Sequence, residues 1–230
     1  MRVLGPSRLA ALAAVVVCAC VAAGPTSAGK PDFVYAPDIG WWVHQSLEMA
    51  TEYTGSETKK VPLPTSIRCF TSDTPFEAGL RRDGDSVSEA HLTIAYYVDG
   101  TSYVNVRAST CRQVRQFTGR DGKAEPVITE YTAGAMSTVL HEALHRQGLG
   151  DEKLTECYGN SSTRYAGWLS WWQHTPDESD ASWAAAEQWG NWAMKLAFQY
   201  SHHVVDESYE MPTSSCLALV KRRSWADRVS

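Results

Sequence analysis

The chain has 230 residues, 10% of them aromatic and 20% charged, and a formal net charge of 21 − 26 = −5. An acidic balance argues against nucleic acid as a partner, and this length suits one domain with a full core. No internal repeat or long low-complexity linker interrupts it.

Arg2 and Arg8 flank the start of an apolar run from Leu9 to Ala23, which breaks at Gly24-Pro25 before Thr26-Ser27-Ala28. That pattern reads as a secretory signal peptide over residues 1–28, leaving one exported domain over 29–230. The run is shorter than the roughly 20 residues of a spanning helix, so no membrane span is expected. Cys20 sits where a lipid anchor attaches, but Cys18 stands where a lipoprotein signal has a small residue, so lipidation is not expected. Removing residues 1–28 removes two arginines and no acids, which moves the charge to 19 − 26 = −7.

Four cysteines then remain, Cys69, Cys111, Cys157 and Cys216. In an exported protein they read as two disulfides. Sequence alone permits three connectivities. Cys69 with Cys111 and Cys157 with Cys216 is favoured, because each bridge then closes one half of the chain. Their spacing lacks the paired clustering of a zinc ribbon.

In chain order, Trp42, Val43, Leu47 and Ala50 recur at helical intervals and predict a helix from Asp38 to Tyr53, which Pro62 and Pro64 close off. "RRDGDSVSE" reads as a polar loop whose acids do not follow a calcium-loop spacing. "HLTIAYYVDGTSYVNVRAS" alternates β-branched and aromatic residues around Asp99-Gly100, which predicts a hairpin with strands at 91–98 and 101–107. A charged loop spans 117–125. Met136, Leu140 and Leu144, with Val139 and Ala143, then predict a helix from Thr132 to Gln147 that Gly148 and Gly150 stop. A second helix is expected from Asp151 to Trp172 and a third from Trp183 to Tyr200. The class is α+β, a small sheet beside a helical core. The tryptophans of the C-terminal half fall at helical spacing and read as packing residues before they read as a sugar-stacking surface.

The chemistry is concentrated in "HEALHRQGLGDEKLTEC", His141 to Cys157. At about 100° per residue, His145 lies about 40° around the helix from His141 and one turn along, so both imidazoles can approach one ion. Glu142 flanks the pair, while Val139, Leu140 and Leu144 point the other way. Zinc takes neutral imidazole nitrogens, keeps a position open for water and lowers that water's pKa to about 7. A neighbouring carboxylate can take the water's proton and return it to a leaving amine, the role expected of Glu142 as general base.

His141-Glu142-Ala143-Leu144-His145 also reproduces the H-E-x-x-H signature of the zincin metallopeptidases, which this chain resembles over the quoted stretch. The resemblance implies a zincin-like fold, a single catalytic zinc ion, a peptide or protein substrate and a third protein ligand. Two acids compete for that ligand position. His141-Glu142-x-x-His145-x-x-Gly148-x-x-Asp151 is similar to the aspartate-bearing metzincin pattern of small secreted bacterial proteases, with Met211 as a distant counterpart of the methionine turn. Asp151 is, however, already suited to cap the next helix. Glu156 is similar to the gluzincin arrangement, in which a glutamate from a following helix completes the site. If the turn at Gly148 to Gly150 folds the helices into an antiparallel hairpin, Glu156 faces the histidines, and a bridge from Cys157 to Cys216 aims it. Glu156 is therefore the expected ligand and Asp151 the alternative.

Tyr158, Tyr165, His174, His202 and His203 are the available oxyanion stabilisers, none singled out by spacing. An exposed hairpin edge is suited to hold an extended peptide. No G-x-S-x-G elbow or phosphate-binding fingerprint points to other chemistry. The rival expectation is an exported binding protein without turnover, its tryptophan-rich helices serving as a cell-surface contact.

Overall fold

The computed structural model describes residues 31–52, 61–83, 93–122, 125–175, 179–204, 211–222 and 224–228. The signal-peptide residues 1–28, and residues 84–89 of the polar loop, lie outside them. In chain order the elements are β1 (Phe33–Tyr35), α1 (Pro37–Glu52), β2 (Ser66–Phe70), α2 (Asp73–Asp83), β3 (Ala95–Tyr97), β4 (Tyr103–Val106), α3 (Ala108–Phe117), α4 (Glu130–Arg146), α5 (Glu152–His174), α6 (Asp180–Val204) and α7 (Thr213–Val220), followed by a short 3-10 turn at Trp225–Asp227. Seven α-helices and one four-stranded mixed sheet among the described residues make an α+β protein that is mostly helical.

The expected hairpin is β3 and β4, paired antiparallel with Tyr96 opposite Asn105 and turned at Gly100, whose φ of 77° suits glycine. Its strands are shorter than their apolar alternation suggests. The sheet runs β1-β2-β4-β3, with β2 and β4 parallel and both outer pairs antiparallel, so β3 is an edge strand among the described residues. Neither β1 and β2 nor α2 and α3 were anticipated, and α2 takes up Arg81, Arg82 and Asp83 from the expected loop. α3 follows the hairpin directly and so comes, in chain order, between the sheet and the histidine helix.

α4 occupies the centre. Met136, Val139, Leu140, Ala143 and Leu144 are completely buried, and α4 packs against α3, α5, α6 and both strands of the hairpin. Thr129 caps its start in a reciprocal box with Thr132. At its end Gly148 takes φ 96°, and the Leu149 N–H reaches back to the Leu144 carbonyl, the arrangement that ends a helix on a left-handed residue. Gln147, buried just beyond, exchanges two hydrogen bonds with the backbone of Leu63. The helix that carries the histidines is thus fixed at both ends.

The tryptophans divide. Trp42 and Trp225 are buried, the latter donating its indole N–H to the Leu47 carbonyl. Trp171 meets Trp189 and Trp168 meets Trp183 between α5 and α6, fastening the two helices, whereas Trp41, Trp183 and Trp192 are exposed. Trp183 thus packs on one side and is exposed on the other, while Trp41 and Trp192 are the tryptophans outside this packing role.

Two disulfides form with the favoured connectivity. Cys69–Cys111 ties β2 to α3, and Cys157–Cys216 ties the second turn of α5 to α7. The second closes 59 residues, for which loop entropy gives about 4 kcal/mol of stabilisation. Replacing Cys157 and Cys216 together by serine should lower the unfolding free energy in urea by that order; a loss below about 1 kcal/mol would contradict a chain-constraining role.

Candidate metal centre

His141 and His145 occupy the last turns of α4 and turn their rings toward each other, with the two Nε2 atoms 3.0 Å apart. Each Nδ1 is held from behind. His145 Nδ1 lies 2.7 Å from the Leu149 carbonyl, just past the turn at Gly148. His141 Nδ1 lies 3.0 Å from Glu156 Oε2 on α5. In the neutral imidazoles both Nδ1–H groups donate to these oxygens, which leaves two Nε2 lone pairs facing one point. Such backing fixes tautomer and ring orientation together.

The third donor at that point is Glu152, the first residue of α5. Its two oxygens stand 3.2 Å from His141 Nε2 and 3.3 Å from His145 Nε2. One ligand atom from each of His141, His145 and Glu152 lies within 4.8 Å of the others. Tetrahedral zinc with bonds of about 2.0–2.1 Å separates its ligand atoms by about 3.3 Å, close to the 3.0 Å between the two imidazole nitrogens and to the distance that each keeps from one of the two Glu152 oxygens. Two imidazoles and a carboxylate are also a donor set that zinc accepts.

Both acids weighed from the sequence have other work. Glu156 meets His141 at Nδ1, behind the ring, and not at the shared Nε2 face. Its second oxygen accepts from Asn160 Nδ2 at 2.9 Å, and Ser137 Oγ donates to Asn160 Oδ1 at 2.7 Å. Burial pushes the Glu156 carboxyl up, but hydrogen bonds from His141, Ser201 and Asn160 bring it below its usual value. Asp151 accepts the Leu154 N–H at 2.9 Å as the cap of α5, and its carboxylate is not among the converging donors. Met211 lines a cavity of about 230 Å³ together with Glu156 and Cys157, and neither His141 nor His145 borders it.

Glu142 projects beside the pair toward β3, where its Oε2 accepts the Tyr97 N–H at 2.9 Å. Burial raises its pKa; the two imidazoles and that N–H oppose the rise. The bond also shows which way β3 faces. Arg107 donates to the Ile94 carbonyl, so Ala95 and Tyr97 fall at alternate positions whose N–H and C=O groups point away from β4. Beyond Glu142 opens a cleft of about 570 Å³ between this strand edge and α4. Of the residues considered for oxyanion stabilisation, Tyr158 is buried against another cavity with Tyr165, His202 lines the cavity behind Glu156, and His203 pairs with Glu130 at 2.7 Å. His174 holds the Ser170 carbonyl at 2.9 Å. The tyrosine that lines the cleft is Tyr200.

Comparison with known protein families, curated proteins and solved structures returns no match for this chain. The geometry therefore carries the functional argument alone.

Without a metal, the crowded imidazoles favour the protonated form. Burial alone would lower the His141 pKa, but its bonds to Glu152 and Glu156, aided by the charge of Glu142, raise it from 6.5 to about 10. A raised imidazole pKa gives stability that is complete below 6.5 and is lost as pH climbs through about 10. Glu156, with a lowered pKa, contributes stability present above 4.5 and lost as pH falls through its folded value. Metal-free wild type should therefore lose more urea resistance between neutral pH and about pH 10 than metal-free His141→Gln. Equal losses in the two proteins would remove the basis for that linkage.

Proposed function

We propose that this chain is a zinc-dependent peptidase acting in an oxidising, extracellular setting, with His141, His145 and Glu152 as ligands and Glu142 as general base. One observation carries the reading: two back-braced imidazoles and a carboxylate converge beside a second carboxylate on a cleft bordered by a strand edge that is open among the described residues. The H-E-x-x-H resemblance and the zincin-like order of hairpin before active helix agree with it. The two disulfides suit the compartment.

Bound zinc supplies Lewis acidity, bringing water toward a pKa of about 7 and polarising a carbonyl. The chain's own groups do the rest. Tyr97 N–H holds Oε2 of Glu142, which leaves Oε1 to take a proton from the attacking water and deliver it to the departing amine. Outward backbone groups of Ala95 are placed to hold an extended peptide by main-chain hydrogen bonds. Glu156 keeps His141 in the tautomer that offers Nε2, and Leu149 does so for His145.

The second reading, an exported zinc-binding or cell-surface protein without turnover, draws on the exposed Trp41, Trp183 and Trp192. Hydrolysis of a generic unfolded protein separates the two. Zinc-loaded wild type should cleave it, chelator should stop it, and Glu142→Gln should retain zinc while losing about 10²–10⁴ in rate. Cleavage indifferent to both chelator and Glu142→Gln would refute the peptidase reading.

The ligand assignment has its own test. His141 is protonated near neutral pH in the metal-free chain and must surrender that proton, so zinc binding at pH 7 should release about one proton per ion. Calorimetry in buffers of different ionisation enthalpy reads that number, and a value near zero would contradict the assignment. In the same assay Glu156→Gln should weaken zinc about 10–100-fold, the range for a residue that braces a ligand. Glu152→Gln should weaken it more, and the opposite ranking would return the ligand role to Glu156.

A further inference from the structure

The cleft extends past His141 toward the start of α4. Gly134, Thr138 and His141 follow at steps of four and three residues and so share one face of the helix. A rise of about 1.5 Å per residue places Thr138 about 4.5 Å and Gly134 about 10 Å from His141 along the axis. These positions carry small side chains or none, which leaves a trough leading away from the histidines. The edge of β3 at Thr93, Ile94 and Ala95 borders the cleft opposite.

Tyr200 of α6 stops that trough. Its ring lies on the bare backbone of Gly134, so closely that a Cβ there would come within 2.2 Å of two ring carbons. Tyr131 meets the ring edge-on with centroids 6.4 Å apart, and just beyond, His203 on α6 pairs with Glu130 on α4. The ring is therefore braced by contacts on α4. Three of the residues lining the cleft are glutamates, Glu142, Glu152 and Glu156, and none is lysine or arginine.

We infer that Tyr200 is the specificity-determining residue of this cleft, restricting the substrate side chain next to the scissile bond to short, uncharged types such as Ala, Ser, Thr or Val. The inference rests on the peptidase reading. A longer apolar or aromatic side chain that runs along Thr138 meets the Tyr200 ring at Gly134. A long cationic side chain meets the same ring before it can pair with Glu130. An acidic side chain enters a space already lined by carboxylates, where like charges oppose it. Gly134 is the second half of the device, since only glycine leaves room for the ring against α4.

Cleavage of a peptide library by zinc-loaded wild type, Tyr200→Ala and Gly134→Ala tests this, alongside calorimetric binding of the same peptides to the Glu142→Gln form of each. Wild type should favour the short neutral side chains. Tyr200→Ala should gain on the order of tenfold or more for Leu and Phe in both cleavage and binding. Gly134→Ala, which forces the ring outward into the cleft, should move preference the opposite way, toward Gly and Ala. If Tyr200→Ala lacks a cooperative melt, Tyr200→Leu keeps an apolar contact on Gly134, still shortens the stop and carries the test. An unchanged side-chain ranking in a folded, active Tyr200 variant would overturn the inference and leave the peptidase reading intact. Absence of cleavage by every zinc-loaded form would instead sink the peptidase reading, and this inference with it.

Discussion

The fixing of two imidazoles by their Nδ1 atoms is the constraint on which the centre depends. His145 is held by a backbone carbonyl that exists only because Gly148 ends α4 and turns Leu149 back over it. His141 is held by Glu156, which belongs to a different helix and is itself fixed by Asn160 and Ser201. Without these partners the two Nε2 atoms would have no reason to share one point. With them, two Nε2 atoms and a carboxylate are brought together by the fold before any ion arrives.

That arrangement explains why the surrounding packing is so tight. α4 is buried on all but one face and held at both ends by a capping box and by Gln147. α5 is fixed to it through a short turn capped by Asp151, and to α7 through the disulfide at Cys157, the residue after Glu156. Trp171 and Trp189 join α5 to α6, which brings Ser201 to Glu156 and Tyr200 to Gly134. The sheet contributes an edge whose outward backbone groups meet Glu142. One helix thus serves as core and as site because its two faces carry residues of opposite character.

Much of this is written in local pattern. The histidine helix, the two long helices after it, the hairpin at Asp99-Gly100 and both disulfide pairings follow from periodicity, turn chemistry and cysteine placement. β1, β2 and α2 do not, because they are short and owe their form to pairing and burial against distant residues. Phe70, Phe76 and Leu80, for example, make a small separate cluster that no local period announces. α3 had a readable face at Cys111, Val114 and Phe117, but it directly follows the hairpin and its polar residues obscure it.

Glu152 and Glu156 show the limit most clearly. In an antiparallel hairpin, positions equidistant from the turn stand level. Arg146 ends α4 and Glu152 begins α5, which sets Glu152 level with Arg146, one residue past His145, and Glu156 level with Glu142, one residue past His141. Counting from the helix ends thus separates the two glutamates, whereas an approximate turn centre does not. Glu152 is also 45% exposed at its side chain, against 13% for Glu156, so a search for an inward-facing acid selects Glu156, whereas Glu152 is the acid that stands at both Nε2 atoms.

X-ray absorption at the zinc edge of the zinc-loaded chain reads the atoms around the ion. The account requires a four-coordinate ion with two imidazole nitrogens at about 2.0–2.1 Å and the remaining positions oxygen. A shell containing sulfur, or one with a single imidazole, would contradict it.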